Sequence, residues 1–495
     1  MGIAQYGMYP LTKNIVEYFS LVTSLVVVPA GRNLMMELSR GNTQQANKVF
    51  NSFFFGVVFL LCFVMPVLFF VVLYSPTLIK SLPDFAPDIR LLFAAVSFSF
   101  ILNALSAPFG LAPFVKNLLY LKNIGDLMEQ IVFASLAALL SGFAGWGLSA
   151  LALATSTRAI IRLSWTVTCK MRLLPQLSIR MASFDFKYLQ DILSMSGWFL
   201  ISAAGTLLFV NSDLLIVNRI LGAEATGRYG SLLILFNSLA NVSGMVTSIM
   251  NPPLMNVYAR EGLDQFIKQA LTYARMAGTI IAAPIGLVCG FAAPLLTVWL
   301  GGSFTDLAQI FSVLSFGLIL EISMVPIATL RLLEKKLKIP SLIYIAIGIV
   351  KIFLSIVLMS TTGLGLMGMA IGTAIFFVLN AGVVTPMYCA YIAKRPLLFF
   401  HRALIPGIAG VCFILIFAQL VRLVLPVASV SQLAEAALVV AVLYAIFAWF
   451  LLLDKKQRTF IIANVSSKIR HRSVVCERNT ITENSQADIY TREPG

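Results

Sequence analysis

From Val49 to Ile79 no side chain of this chain is charged, and apolar stretches of the same kind recur along its whole length. A helix needs about 20 mainly apolar residues to cross the hydrocarbon of a bilayer. Within that hydrocarbon every backbone N–H and C=O must be satisfied by the protein itself, which leaves helices and closed barrels. These stretches are continuous and do not alternate every second residue, so they predict helices. The expected fold is an all-α polytopic membrane protein of about thirteen spans. They lie near 9–33, 52–74, 91–112, 124–143, 146–168, 195–218, 227–250, 271–299, 307–330, 340–360, 365–391, 403–424 and 431–453. Composition agrees: 59% of the 495 residues are hydrophobic and 12% charged, against about a quarter charged in soluble domains.

The net charge of +15 does not point to nucleic acid, because Lys and Arg sit in short gaps between the apolar runs. Alternate gaps carry most of them: Arg32, Arg40 and Lys48; Lys116 and Lys122; Arg158, Arg162, Lys170, Arg172, Arg180 and Lys187; Arg260, Lys268 and Arg275; Arg331, Lys335, Lys336 and Lys338; Lys394, Arg395 and Arg402. The other gaps hold Lys80, Arg90, Arg219, Arg228 and Arg422. By the positive-inside rule the first set is cytoplasmic, as is the tail with Lys455, Lys456 and Arg458. This orientation predicts a cytoplasmic C-terminus, and thirteen spans then put Met1 outside; the expected location is the cell's inner membrane. The cysteines (Cys62, Cys169, Cys289, Cys389, Cys412 and Cys476) fit no metal or disulfide spacing and read as small hydrophobes.

An internal repeat explains the odd count. Gly2-Ile3-Ala4-Gln5-Tyr6-Gly7-Met8-Tyr9 recurs as Gly222-Ala223-Glu224-Ala225-Thr226-Gly227-Arg228-Tyr229 at an offset of 220. Farther on the offset settles at 218: Pro66 matches Pro284, Pro76 matches Pro294, and Pro108 matches Pro326. Gly145, Gly147 and Thr155 match Gly363, Gly365 and Thr373. Glycine and proline mark turns and kinks, so such a register signals a repeated unit. An even number of spans between equivalent points makes the two copies parallel, related by an axis along the membrane normal. The chain divides into a first lobe at 1–168, a linker at 169–194, a second lobe at 195–391, two further helices at 392–453 and a polar tail at 454–495. The span 195–218 has no counterpart before Gly2. A fourteenth helix ahead of Met1 would bring both termini to the cytoplasm.

These residues resemble a known family. A six-helix unit repeated in parallel, followed by two more helices, is similar to the multidrug/oligosaccharidyl-lipid/polysaccharide (MOP) exporter superfamily. The nearest likeness is its polysaccharide-transporter branch, the O-antigen and capsule repeat-unit flippases. Asp213 and the turn Leu221-Gly222-Ala223-Glu224-Ala225-Thr226-Gly227-Arg228-Tyr229 carry the resemblance, with Pro252, Pro253, Trp299-Leu300-Gly301 and Gly363-Leu364-Gly365. It implies two lobes around a cavity that opens alternately to either side, and polyprenyl-diphosphate-linked oligosaccharides as cargo for lipopolysaccharide, capsule or exopolysaccharide synthesis. It implies membrane lipids, a polysaccharide polymerase and chain-length proteins as partners, and no cofactor, metal or nucleic acid.

A charge at mid-helix costs at least ~2.5–3.5 kcal/mol on insertion scales, so each intramembrane charge is a candidate for function. Lys351 lies mid-span and is expected either to line a wet cavity, as a cation for a diphosphate, or to pair with a carboxylate such as Glu321. Lys13 is a second candidate cavity cation, unless it pairs with Glu17 one turn away. Arg158 and Arg162 share a helix face and either snorkel to inner headgroups or receive a lipid diphosphate. Glu321, Asp213 and Glu17 are candidate coupling carboxylates, Asp213 reading also as an interfacial ion pair with Arg219. Asp126 and Glu129 suit a helix N-terminus and read as structural. Pro66, Pro108, Pro284 and Pro326 are hinge candidates, each removing a helix hydrogen bond. A cationic cavity favours a lipid-linked oligosaccharide over a cationic drug. A glycan polymerase or ligase would need a catalytic constellation, and His401 and His471, the two histidines, both fall on the cytoplasmic side.

Overall fold

A computed structural model describes residues 2–20, 41–79, 86–116, 118–143, 145–188, 197–334, 336–425 and 429–454, with a few isolated positions between and beyond them. Expectations resting on Arg32, Arg40, Lys80, Lys335, Lys455, Lys456, His471, Cys476 and nearly all of the tail lie outside the described residues.

The first lobe consists of α1 (Ile3–Glu17), α2 (Thr43–Leu78), α3 (Ala86–Phe109), the short α4 (Leu111–Val115), α5 (Leu119–Gly142) and α6 (Leu148–Leu173). The second contains α7 (Gly197–Glu261), α8 (Leu263–Gly290), α9 (Ala292–Leu300), α10 (Ala308–Leu333), α11 (Lys338–Thr361) and α12 (Leu366–Ala393). After the short α13 (Leu397–His401) come α14 (Ile405–Val424) and α15 (Val430–Leu452). Among the described residues there is no strand. The protein is an all-α polytopic membrane protein.

Ten of these helices are long and apolar enough to cross a membrane. The expected count of thirteen differs for three physical reasons. The stretch Leu207–Glu261 is 55 residues long, or roughly 80 Å at 1.5 Å per residue, far more than one crossing. It is two helices meeting at Gly222, whose φ of 86° and ψ of −173° are not helical. The second reason is α6, which spans 26 residues but carries Arg158, Arg162, Lys170 and Arg172. Third, α1 is 15 residues long before Tyr18, and the rest of the span expected at 9–33 lies almost wholly outside the described residues.

The repeat is visible in the backbone. Gly145 and Gly363 have φ of 67° and 70°, and Gly147 and Gly365 have 53° and 51°. Equivalent glycines thus turn the chain identically into α6 and α12, in a region of φ that side chains with a Cβ rarely adopt. The described parts of the gaps rich in Lys and Arg fall at one end of the bundle, here termed the basic end. Gly222 and the Gly145 and Gly363 turns lie at the opposite end.

Within each lobe equivalent helices pack alike: α3 and α5 lie against α6, while α10 and α11 lie against α12. Large apolar side chains such as Phe59, Phe63, Phe69 and Phe70 on α2 remain exposed, as they do on a surface whose solvent is lipid. α14 and α15 pack on α8 through small residues: a Cβ on Gly286 would sit 2.8 Å from Ile414, and Tyr444 donates to the Thr279 carbonyl at 2.5 Å. The linker is tied to α2. Asn47 accepts from the Ser178 N–H at 2.9 Å, Asn51 accepts from the Arg180 N–H at 2.8 Å, and Ser52 accepts from the Asp185 N–H at 3.0 Å.

Pro66, Pro108, Pro284 and Pro326 all lie inside helices, at equivalent places in the two lobes. Pro10 is also inside α1.

Candidate functional site

The two lobes meet where α1 crosses the second arm of α7, and equivalent residues of the repeat meet there. A Cβ on Gly7 would lie 2.4 Å from the Gly227 nitrogen, and a Cβ on Gly227 would lie 2.0 Å from the Ile3 carbonyl oxygen. Pro10 packs against its own equivalent, Gly230, within 3.0 Å of a Cβ built there. Glycine at 7 and 227 lets the two backbones touch. This contact lies near the opposite end and forms the seal of the interface there.

Toward the basic end the lobes enclose a cavity of about 440 Å³, a size suited to a small ligand or a headgroup. Lys13, Asn14 and Glu17 line it from α1, Asn237 and Asn241 from α7. Farther along α7, Val242, Met245 and Ile249 are exposed. A second cavity of about 240 Å³ lies within the first lobe and shares Tyr9, Lys13 and Glu17 with the first, adding Asn103, Thr155 and Arg158.

Lys13 is exposed into these cavities, and among the described residues it has no ion pair. The expected Lys13–Glu17 pair is not formed, although both side chains line the same space. Lys351 behaves differently. It is 2% exposed, forms an ion pair with Asp213, donates to the Phe209 carbonyl at 3.2 Å and lies 5.1 Å from the centre of the Phe209 ring. Asp213, 3% exposed, also accepts from the hydroxyls of Tyr229 and Thr373, both at 3.2 Å.

Of the two readings of Lys351, the structure shows the carboxylate pair and not the cavity cation, with Asp213 rather than Glu321 as partner; Asp213 accordingly does not pair with Arg219. Two charges on neighbouring helices at the same depth neutralise each other, because neither is tolerable alone in an apolar interior. Asp213 itself lines the inter-lobe cavity, with its charge paired to Lys351. Glu321 is held otherwise: both its carboxylate oxygens accept from the Asn380 amide, at 3.0 and 2.8 Å. Asn380 sits in a π-helical turn of α12, Val378–Val384, a feature often found at functional sites.

Arg158 and Arg162 do not simply snorkel. Both donate to Oε1 of Glu129, at 3.1 and 3.2 Å, and Arg162 lies 4.0 Å from Asp126. Gly125 brings them together: it leaves room for Trp165 to lie on α5 and donate to the Leu121 carbonyl at 2.9 Å, which seats α6 one side chain away from Glu129. Glu129, read from the sequence as structural, is thus the centre of a charged cluster. The signal that would have found it is its depth in α5 opposite two arginines one turn apart. Among the described residues no group of His, Cys, Asp and Glu has the arrangement of a metal site.

With this geometry in hand, comparisons with known proteins take on weight. Residues 84–309, from the first lobe into the second, match the family described as "Polysaccharide biosynthesis protein". Over 465 residues the chain is 26% identical to a protein of Bacillus subtilis (strain 168) named "Uncharacterized membrane protein EpsK", covering 93% of this chain and 92% of that protein. The fold matches the solved structure of the "Lipid II flippase MurJ, inward closed conformation" with a TM-score of 0.62 at 13% identity, covering 90% of this chain and 94% of that one. It matches an inward-facing multidrug resistance MATE transporter of the MOP superfamily with a TM-score of 0.55 at 16% identity, over 79% and 94%. The chain is thus similar over residues 84–309 to a polysaccharide biosynthesis family, and its fold is the one seen in the MurJ and MATE structures. Lys351 pairs with Asp213 and Glu321 is held by Asn380, while Lys13 and Glu17 of the first lobe and Asp213, Asn237 and Asn241 of the second line the inter-lobe cavity.

Proposed function

We propose that this transporter moves polyprenyl-diphosphate-linked oligosaccharides across the cell's inner membrane, taking the diphosphate headgroup into the inter-lobe cavity from the basic end, which faces the cytoplasm. The observation that carries this reading is Lys13, a cavity-lining ammonium without an ion pair among the described residues, with Arg158 in the adjoining space. A diphosphate offers oxygens to both, an ammonium acting as a point charge and a guanidinium as a planar fork. Glu17 and Asp213 also line the larger cavity, Asp213 with its charge paired to Lys351.

Transport follows from rocking of the lobes about the α1–α7 contact. With that seal closed, the cavity receives the headgroup from the basic end, while the prenyl tail stays in lipid. Opening the seal and closing the basic end would release the headgroup on the other side. The protein performs no covalent chemistry in this reading. Glu17, which lines the cavity, and Glu321, held by Asn380, are the candidates for a coupling carboxylate whose charge is not paired with a cation among the described residues.

The experiment is export of surface glycan in a host whose own flippase has been deleted. Wild type restores export, and Lys13→Ala reduces it at least several-fold at equal membrane abundance. Full export by Lys13→Ala sinks the cavity-cation reading. Supplying hosts with different lipid-linked glycans in turn separates an oligosaccharide flippase from a carrier of a cell-wall lipid precursor.

A further inference from the structure

We propose that Glu129 is a displaceable counter-ion for an anionic lipid headgroup, holding Arg158 and Arg162 in the state seen here and yielding them to the phosphates of an incoming lipid diphosphate. This rests on the flippase reading above and assigns the anion a route through the first lobe. Three observations lead to it.

First, the cluster is incompletely satisfied. Glu129 is 2% exposed, yet a single oxygen, Oε1, receives both guanidinium groups, while Oε2 is buried without a partner among the described residues. A guanidinium has five N–H donors, so most of the donors on both arginines stay uncommitted. Phosphate groups offer more oxygens in a geometry that accepts bidentate pairs.

Second, the carboxylate stands between two cavities. Arg158 lines the 240 Å³ space that also holds Lys13. Arg162 lines a separate cavity of about 250 Å³ nearer the basic end, with Lys122, Asp126 and Trp165. An anion entering beside Lys122 and Arg162 would pass to Arg158 and Lys13 by exchanging one arginine for the next, with Glu129 taking back whichever is released.

Third, the fold does not require the cluster. The equivalent helices α11 and α12 pack together in the second lobe with Ile347, Phe376 and Asn380 at the positions of Glu129, Arg158 and Arg162. A charged triad that served only to pack this helix pair has no reason to be present in one copy of the repeat and absent from the other.

The test uses the full-length protein in nanodiscs and farnesyl diphosphate as a water-soluble probe, with farnesol as control, measured by titration calorimetry. Removing the counter-ion charge in Glu129→Gln should tighten diphosphate binding about tenfold, equivalent to 1.4 kcal/mol. Glycan export should fall at the same time, because the carboxylate no longer reclaims the arginines. Binding that is unchanged or weaker in Glu129→Gln, in a wild type that prefers the diphosphate to farnesol, overturns the counter-ion role alone. Absence of that preference in both proteins overturns the flippase reading and this inference with it. If Glu129→Gln does not fold, Glu129→Asp replaces it. Its shorter carboxylate reaches the arginines less well, so tighter binding is again the supporting result, and equal or weaker binding the opposing one.

Discussion

Two lysines of similar sequence context have opposite fates in this protein. Lys351 is buried against Asp213, Phe209 and, through the carboxylate, Tyr229 and Thr373. Lys13 projects into open space between the lobes. Removing one member of a buried ion pair leaves an uncompensated charge, at a cost of about 3–5 kcal/mol, whereas replacing both by apolar groups is often neutral. Lys351→Ala and Asp213→Asn should therefore each lower the thermal denaturation midpoint in detergent, while Lys351→Met combined with Asp213→Leu should recover most of the loss. If the double variant is no more stable than the worse single one, the pair is not the self-contained structural unit described here. Lys13→Ala should leave that midpoint unchanged, since Lys13 has no ion pair among the described residues. The sequence shows that all these charges lie within helices. It does not show which way each points, because partners such as Asp213 and Lys351 are more than a hundred residues apart.

At the scale of helices, the crossing of α1 with α7 is the critical joint. Gly7 and Gly227 are equivalent residues of the repeat, and each leaves too little room for a Cβ beside the other helix. Gly227→Leu should wedge the opposite end apart. Spin labels at the exposed Trp146 and Leu364, one on each lobe near that end, should then report a longer distance by double electron–electron resonance. An unchanged distance distribution would show that the contact does not hold the lobes together. The turns into α6 and α12 allow a second test. Gly147 and Gly365 have φ of 53° and 51° with ψ of −122° and −127°, so Gly147→Ala and Gly365→Ala should destabilise by similar amounts, about 1–3 kcal/mol each for a residue held in a sparsely populated region. A clear difference in their denaturation midpoints would mean that the two copies do not share this turn energetically. These glycines were legible in the sequence as pairs in register. That Gly7 meets Gly227 was not, since a repeat register aligns residues without saying that they touch.

For the molecule as a whole, the separation of basic and glycine-turn ends makes a topological prediction. In a variant without native cysteines, a single cysteine at Met181 on the linker should resist a membrane-impermeant maleimide in intact spheroplasts. One at Trp146 should react. The reverse pattern would invert the proposed orientation and the direction of transport with it. Much of this architecture could be read before any coordinates. Apolar runs long enough for a bilayer dictate helices, because unpaired backbone groups are intolerable in hydrocarbon. Glycines and prolines in register reveal a duplicated unit, because both act through the backbone of their own residue. These properties are local, and a chain carries them in its order alone. The seal at Gly7 and Gly227, the pairing of Lys351 with Asp213 and the gathering of two arginines around Glu129 were decided only by tertiary packing. Each depends on the rotation of one helix against another, and that rotation is set by the sum of many contacts along the packed faces.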